Sequence, residues 1–189
     1  TCASGFAISG FGTAYFTSLL EQGVLTNVGH LSPQSLKEVA RGFIFSMRGS
    51  KQMHQVLLPR LRPILSDLTL SEVCYMLYSY HEVGHLPKSF AEEVEDLVKK
   101  RLQEKGEEIP LDQLALIAKV FCTTRSASRS FHKVLETTVI LRVPELRTNS
   151  KVLHAIGLTF EQSGLCSIDT LKALKKEAAQ VDLEEDVFN

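Results

Sequence analysis

The chain has 189 residues, 44% of them hydrophobic, with a formal net charge of -1 and a pI near 6.6. That apolar content suits one large or two small packed cores and excludes a disordered chain, while the charge balance excludes a whole-molecule pull toward nucleic acid or anionic membrane. Four cysteines, Cys2, Cys74, Cys122 and Cys166, stand far apart with no C-x-x-C pair, which excludes a zinc ribbon or thioredoxin-like site and reads as separate buried thiols in a reducing compartment.

The sequence opens on Thr1 and carries no charge before Glu21, which reads either as a chain whose targeting segment has been removed or as an excised piece. The run TCASGFAISGFGTAYFTSLL is broken by Gly, Ser and Thr and lacks a basic flank, so no membrane span is expected. Gly5, Gly10 and Gly12 echo a phosphate loop, but Phe11 stands where its lysine belongs. The expectation is an extended arm over residues 1–12, then a helix.

From residue 31 one pattern recurs in LSPQSLKEVARGF, LTLSEVCYMLYSY, IPLDQLALIAKVF and TNSKVLHAIGLTF. An aromatic closes each segment: Phe43, Tyr80, Phe121, Phe160. Seven residues earlier stands Leu36, Val73, Leu114 or Leu153, and four earlier Val39, Met76, Ile117 or Ile156, the stripe of an amphipathic helix. Three residues before the aromatic come Ala40, Leu77, Ala118 and Gly157, mostly small, as a close helix crossing requires. Ten after it come Met53, Phe90, Phe131 and, as a departure, Thr170 beside Leu171; fourteen after, Leu57, Val94, Leu135 and Leu174. Between the helices lie RGSKQ, GHLPKS, TTRSASRS and SGLCS, rich in turn formers. Ser32 before Pro33, Ser71 before Glu72, and Asp112 after Pro110 are the expected caps or first-turn residues.

The aromatics recur at 37, 41 and 39 residues, from 43 to 80 to 121 to 160, the period of stacked helix pairs. The expected fold is therefore all-α: a right-handed α-solenoid of about four helical hairpins, at 31–67, 68–108, 109–147 and 148–180, in a single domain over 13–180. Phe16, Leu20 and Val24 align with Met53, Leu57 and Leu61, which makes the first helix a capping half repeat. Residues 181–189 form an acidic tail.

Inside the second segment, HEVGH matches H-E-x-x-H, which on a helix holds two zinc-binding imidazoles at i and i+4 beside a general-base glutamate. His81 directly follows Tyr80, however, and Gly84, aligned with Gly164, and then Pro87 mark a helix stop between the two histidines. A third ligand is also needed; Glu92, Glu93 and Glu95 are close in sequence but read as a solvent-facing charged helix surface. His30, His54, His132 and His154 read as packing or surface residues, and no G-x-S-x-G elbow or nucleotide fingerprint occurs. No catalytic residue, metal or cofactor is expected; a zinc peptidase through His81, Glu82 and His85 is the last of the readings.

Residues 119–151 carry seven basic residues against two acidic ones. Lys119, Arg125, Arg129, Lys133, Arg142 and Arg147 are the candidate contacts to a partner or to RNA phosphates, although Phe121 and Phe131 belong to the buried seam and cannot stack bases. Outward positions such as Glu38, Glu72, Tyr75, Gln113 and Leu116 show no repeated basic or amide column.

Over residues 31 to about 178 this column pattern resembles the degenerate organellar helical repeats, the FAST-kinase-like, heptatricopeptide and octotricopeptide families related to the pentatricopeptide repeat. The resemblance implies a mitochondrial matrix protein of RNA-handling ancestry. It also implies kinship with short members that became structural subunits, as in mitochondrial ribosomes or on the ATP synthase catalytic head. The expected function is a non-catalytic subunit docking a protein partner in such an assembly, with RNA binding through 119–151 as the alternative.

Overall fold

The computed structural model describes residues 14–106 and 108–187, with side chains as far as Val181. The expected arm at 1–12 lies outside them. Among the described residues there are ten α-helices, two 3-10 helices and no strand. The α-helices are α1 (Ala14–Asn27), α2 (Pro33–Phe43), α3 (Lys51–Leu61), α4 (Leu70–Glu82), α5 (Lys88–Lys105), α6 (Leu111–Thr124), α7 (Arg129–Leu141), α8 (Val143–Leu146), α9 (Ser150–Ser163) and α10 (Ile168–Val187). The acidic segment from 181 is thus helical through Val187. The chain divides into two compact units, residues 1–90 and 91–189.

The fold is an all-α helical repeat, and the columns read from sequence are its core. Phe43, Tyr80 and Phe121 are fully buried and Phe160 nearly so; the aliphatic columns before and after them are buried in all four hairpins. Of the small column only Gly157 is half-exposed. In the second and third hairpins the two aromatic columns meet, with ring centroids 5.3 Å apart for Tyr80 and Phe90 and 4.2 Å for Phe121 and Phe131, aromatic contacts that add to simple burial. Thr170 itself fills the equivalent place in the last hairpin and is buried. Its hydroxyl donates to the Glu136 carboxylate at 2.9 Å, which satisfies the polar atom that burial would otherwise penalise. On α1, Phe16, Leu20 and Val24 form a half-buried face.

Each hairpin reverses through the same backbone device. Four residues after the closing aromatic the chain enters the left-handed region, at Met47 (φ 58), Gly84 (φ 64), Arg125 (φ 50) and Gly164 (φ 64). The aromatic's own carbonyl accepts the turn's amides, from Arg48 and Gly49 onto Phe43, His85 onto Tyr80, Arg125 onto Phe121, and Gly164 onto Phe160. Orphan carbonyls at the helix end are thereby satisfied. Seven residues after the aromatic, Ser50, Ser128 and Ser167 take the amides of Met53, Phe131 and Thr170, beginning the return helix.

A second ladder, missed in the sequence, ties successive hairpins together. Ser50 is held by Glu21 of α1, Ser128 by Glu95 of α5 and Ser167 by Glu136 of α7. In the first two pairs the carboxylate accepts both the serine hydroxyl and its amide; the amide distances are 3.3 and 2.8 Å. Glu95 and Glu136 each lie fifteen residues past a closing aromatic; the first hairpin has Leu58 at that place, and the cap it would hold is Pro87. Glutamate and serine are thus lost together. Glu95, read from sequence as solvent-facing, is buried. Further along, Arg62 donates to Ser89 at 2.8 Å and Lys99 to Ser130 at 3.0 Å, nineteen and nine residues past successive aromatics.

The helix starts are as expected at Ser32, which caps Ser35 ahead of Pro33. Asp112 sits in the first turn of α6, which has Pro110 at the N-cap. Ser71 lies in the first turn of α4, as one of its two expected roles required: Thr69 is the cap, and Glu72 closes a reciprocal capping box because it stands three residues beyond it. Burial alone would raise the Glu72 carboxyl, but hydrogen bonds from Thr69 and from Arg41, 2.9 Å away, hold it below its ordinary value.

Two stability outcomes follow. Glu95→Ala is expected to cost about 2 kcal/mol and Ser128→Ala about 1 kcal/mol, with a double-mutant coupling near 1 kcal/mol in urea unfolding; additive losses would dissolve the clamp. Arg125→Gly is expected to add roughly 0.5–1 kcal/mol, because it relieves a left-handed non-glycine residue, whereas Gly164→Ala should lose about 1 kcal/mol.

Candidate functional site

The histidines of HEVGH do not share a helical face. α4 ends at Glu82, and the chain turns through Gly84, whose amide bonds the His81 carbonyl at 2.9 Å, while the His85 amide bonds the Tyr80 carbonyl at 3.0 Å. This paired closure is a Schellman motif, and it sets His85 beyond the helix rather than one turn along it. Among the described residues no group of three or more His, Cys, Asp or Glu is placed to hold a metal ion.

The titratable side chains that are buried serve the hairpins. His54 is fully buried; its Nδ1 lies 2.8 Å from the Ser50 carbonyl and its Nε2 2.7 Å from the buried Ser79 hydroxyl. Tyr80 donates its phenol to the His54 carbonyl at 2.7 Å and meets the imidazole edge-on at 4.8 Å. Burial lowers the His54 pKa and raises that of Tyr80. A serine, histidine and tyrosine are therefore in contact, but Ser79 is wholly inaccessible to a substrate. His132 occupies the same repeat position as His54, eleven residues past the aromatic, and is likewise buried with a lowered pKa, desolvation outweighing Glu136 and Glu95.

The six basic candidates have different surroundings. Arg142 is 5% exposed and belongs to the fold: its guanidinium donates to the Gly106 and Ile109 carbonyls and to Glu145 at 2.5 Å, closing the turn between α5 and α6. Sequence charge alone could not reveal that use. Arg147 bridges to Glu177 of α10 at 3.4 Å. Lys119 and Arg125 line a shallow cavity of about 470 Å³ between α6 and α9, with Thr123, Leu158 and Gln162. Arg129 and Lys133 line a different groove, of about 710 Å³, between α7 and the start of α10.

That second groove contains what the sequence reading missed. Alongside the two cations it exposes Ile140 and Leu141, the latter 68% exposed, while Ile168, 69% exposed, follows groove residue Ser167. Cys166 also lines it; burial, then the nearby Glu136 charge, push its thiol up to about 11, so it stays neutral and packs as an apolar group. Cys74 and Cys122 are buried, as read from sequence, and Cys166 is half-buried. The available signal was an apolar pair at the end of α7, where the repeat leaves no core column.

No helix among the described residues is long and apolar enough to cross a membrane. Compared with known proteins, the chain matches no family model, no curated protein and no solved structure.

Buried neutral histidines make stability pH-dependent in a defined sense. With the folded pKa values of His54 and His132 below the ordinary value of about 6.5, the unfolded chain binds more protons below that pH. Their contribution is complete above about pH 6.5 and is lost as pH falls toward the lowered folded values. The urea midpoint is expected to drop between pH 7.5 and 5.5, and the drop should shrink in His54→Gln, which keeps hydrogen-bonding groups but cannot titrate.

Proposed function

We propose that the chain is a non-catalytic helical-repeat subunit that docks a protein partner within a larger assembly. The observation that carries this reading is the second-unit groove, where exposed Ile140 and Leu141 lie beside Arg129 and Lys133. Mixed apolar and cationic surface suits a protein interface, in which apolar side chains supply the driving force and rim charges supply orientation. The buried His54, Ser79, Tyr80, His132 and Arg142 act inside and between the helices, which supports a scaffold rather than a reaction centre.

An RNA track along 119–151 would draw on Lys119 and Arg125 in one groove and Arg129 and Lys133 in another, while Arg142 is withdrawn into the fold. Among the described residues the large exposed aromatics are Tyr15 and Tyr75, both outside that segment. Single-stranded RNA binding relies on a continuous positive groove with stacking groups, so protein docking is the better-supported reading. The mitochondrial setting, with the ATP synthase catalytic head or the mitochondrial ribosome as host, rests on the resemblance to organellar repeats.

Tagged protein recovered from mitochondria should keep a stoichiometric protein partner after RNase digestion. Lys119→Ala with Arg125→Ala should change its retention less than about threefold, as expected for charges outside the docking groove. Loss of every stable partner on digestion would reverse the choice in favour of RNA.

A further inference from the structure

We propose that the groove between α7 and α10 is the docking site, and that its occupant is an acidic amphipathic helix of the partner protein. This deepens the protein-docking reading and rests on it.

Equivalent places in the repeat differ at the junction of α7 and α10. Nineteen residues after the aromatic a cation reaches the next hairpin's serine, Arg62 to Ser89 at 2.8 Å and Lys99 to Ser130 at 3.0 Å. The two positions are Leu25, half-buried, and Gln52 in the first step, and Ile140 and Asp169 in the last. The polar latch is gone from both, and at the last step large aliphatic groups, Ile140, Leu141 and Ile168, stand exposed around its place. The deeper clamp persists, since Glu136 still holds Ser167 at 2.7 Å and Thr170 at 2.9 Å. The junction is therefore fixed at its base and open at its rim. Uncovered aliphatic side chains on a fixed surface are the features of a binding groove.

The groove also carries charge at one end. Arg129, Lys133, Ile140 and Leu141 lie at i, i+4, i+11 and i+12 on α7, all exposed, with cations toward the amino end and apolar groups at the carboxyl end. Of the carboxylates here, Glu136 already accepts two hydroxyls, and Asp169 stands at the latch position with Ile140, away from the two cations along α7. A helix laid along the groove would meet apolar side chains at one end and two cations at the other. Its complement carries an aliphatic ridge followed by carboxylates, the arrangement by which amphipathic helices enter grooves.

Two designed helical peptides with one leucine ridge, flanked by glutamates in the first and lysines in the second, provide the test against the full chain. The glutamate peptide is expected to shift amide NMR signals of residues 129–141 and 164–172 and to bind at least about tenfold more tightly than the lysine peptide. Leu141→Ser should weaken it about tenfold, and Arg129→Glu with Lys133→Glu should reverse the preference between peptides. These side chains are exposed, so the variants' urea midpoints should match the parent's. Equal affinity for both peptides, no binding, or shifts confined to other helices would overturn the proposal, as would a single-stranded RNA oligonucleotide that displaces the glutamate peptide from these signals. If the Leu141→Ser chain still retains the RNase-resistant partner, this groove is wrong while protein docking stands; if no such partner exists, the broader reading is the one that fails.

Discussion

The reversal between paired helices is the constraint on which the rest of this structure depends. A helix must stop, turn and restart within ten residues, because the aromatic at its end and the apolar residue ten later belong to the same core. Stopping leaves carbonyls without amides and restarting leaves amides without carbonyls, and a buried orphan of either kind costs more than a typical hydrogen bond returns. The chain answers with fixed positions: an aromatic whose ring fills the core and whose carbonyl takes the turn's amides, a left-handed residue four places on, and in three of the four turns a serine cap at seven. The left-handed position tolerates Met47 and Arg125 as well as glycine, which shows that geometry, not residue type, is what repeats.

Stacking then uses the exposed pole of that restart. The amino end of a helix carries partial positive charge, so a carboxylate from the preceding hairpin is favoured there and can also take the cap's hydroxyl. Glu21, Glu95 and Glu136 do this in turn. The clamp fixes register where apolar columns could slide, since aliphatic surfaces are non-directional and a carboxylate on a serine cap is not. The absence of both partners at Leu58 and Pro87 fits this view: proline supplies neither the side-chain hydroxyl nor the amide that a glutamate would take.

How much of this was legible follows from which forces are periodic. Burial of Phe43, Tyr80, Phe121 and Phe160 and their flanking columns could be read directly, because apolar spacing of three, four and seven has no other stable use in a helix of this amphipathicity. Ser71 before Glu72 marks the start of α4 in the sequence but not which residue caps it, since serine, threonine and glutamate cluster there and only the reciprocal bond distinguishes them. Glu95 was hidden among Glu92, Glu93 and Asp96, and Arg142 among other basic residues. A formal charge looks the same in sequence whether it faces water or satisfies a buried carbonyl. The buried imidazoles of His54 and His132 share a column that became visible only once burial was known. The candidate groove was least legible, because an exposed Ile140 or Leu141 resembles any other aliphatic residue until the helix places it outside the seam.

When successive hairpins obey the same rules, obedience carries little functional information, and departures carry more. Departures at these repeat offsets within this one chain include Leu58 with Pro87, Thr170 in an aliphatic column, and, in the cation-to-serine column, Leu25 with Gln52 at the first step and Ile140 with Asp169 at the last. The first is matched by loss of its own partner. The second is satisfied by Glu136, so its polarity is absorbed internally. At the last step the third likewise loses both partners of a hydrogen bond made at two earlier steps, but it leaves large apolar groups in water, where they gain by burial against another surface. A repeat protein that docks a partner needs one step of the stack to be incomplete by itself, and the step between α7 and α10 has that character.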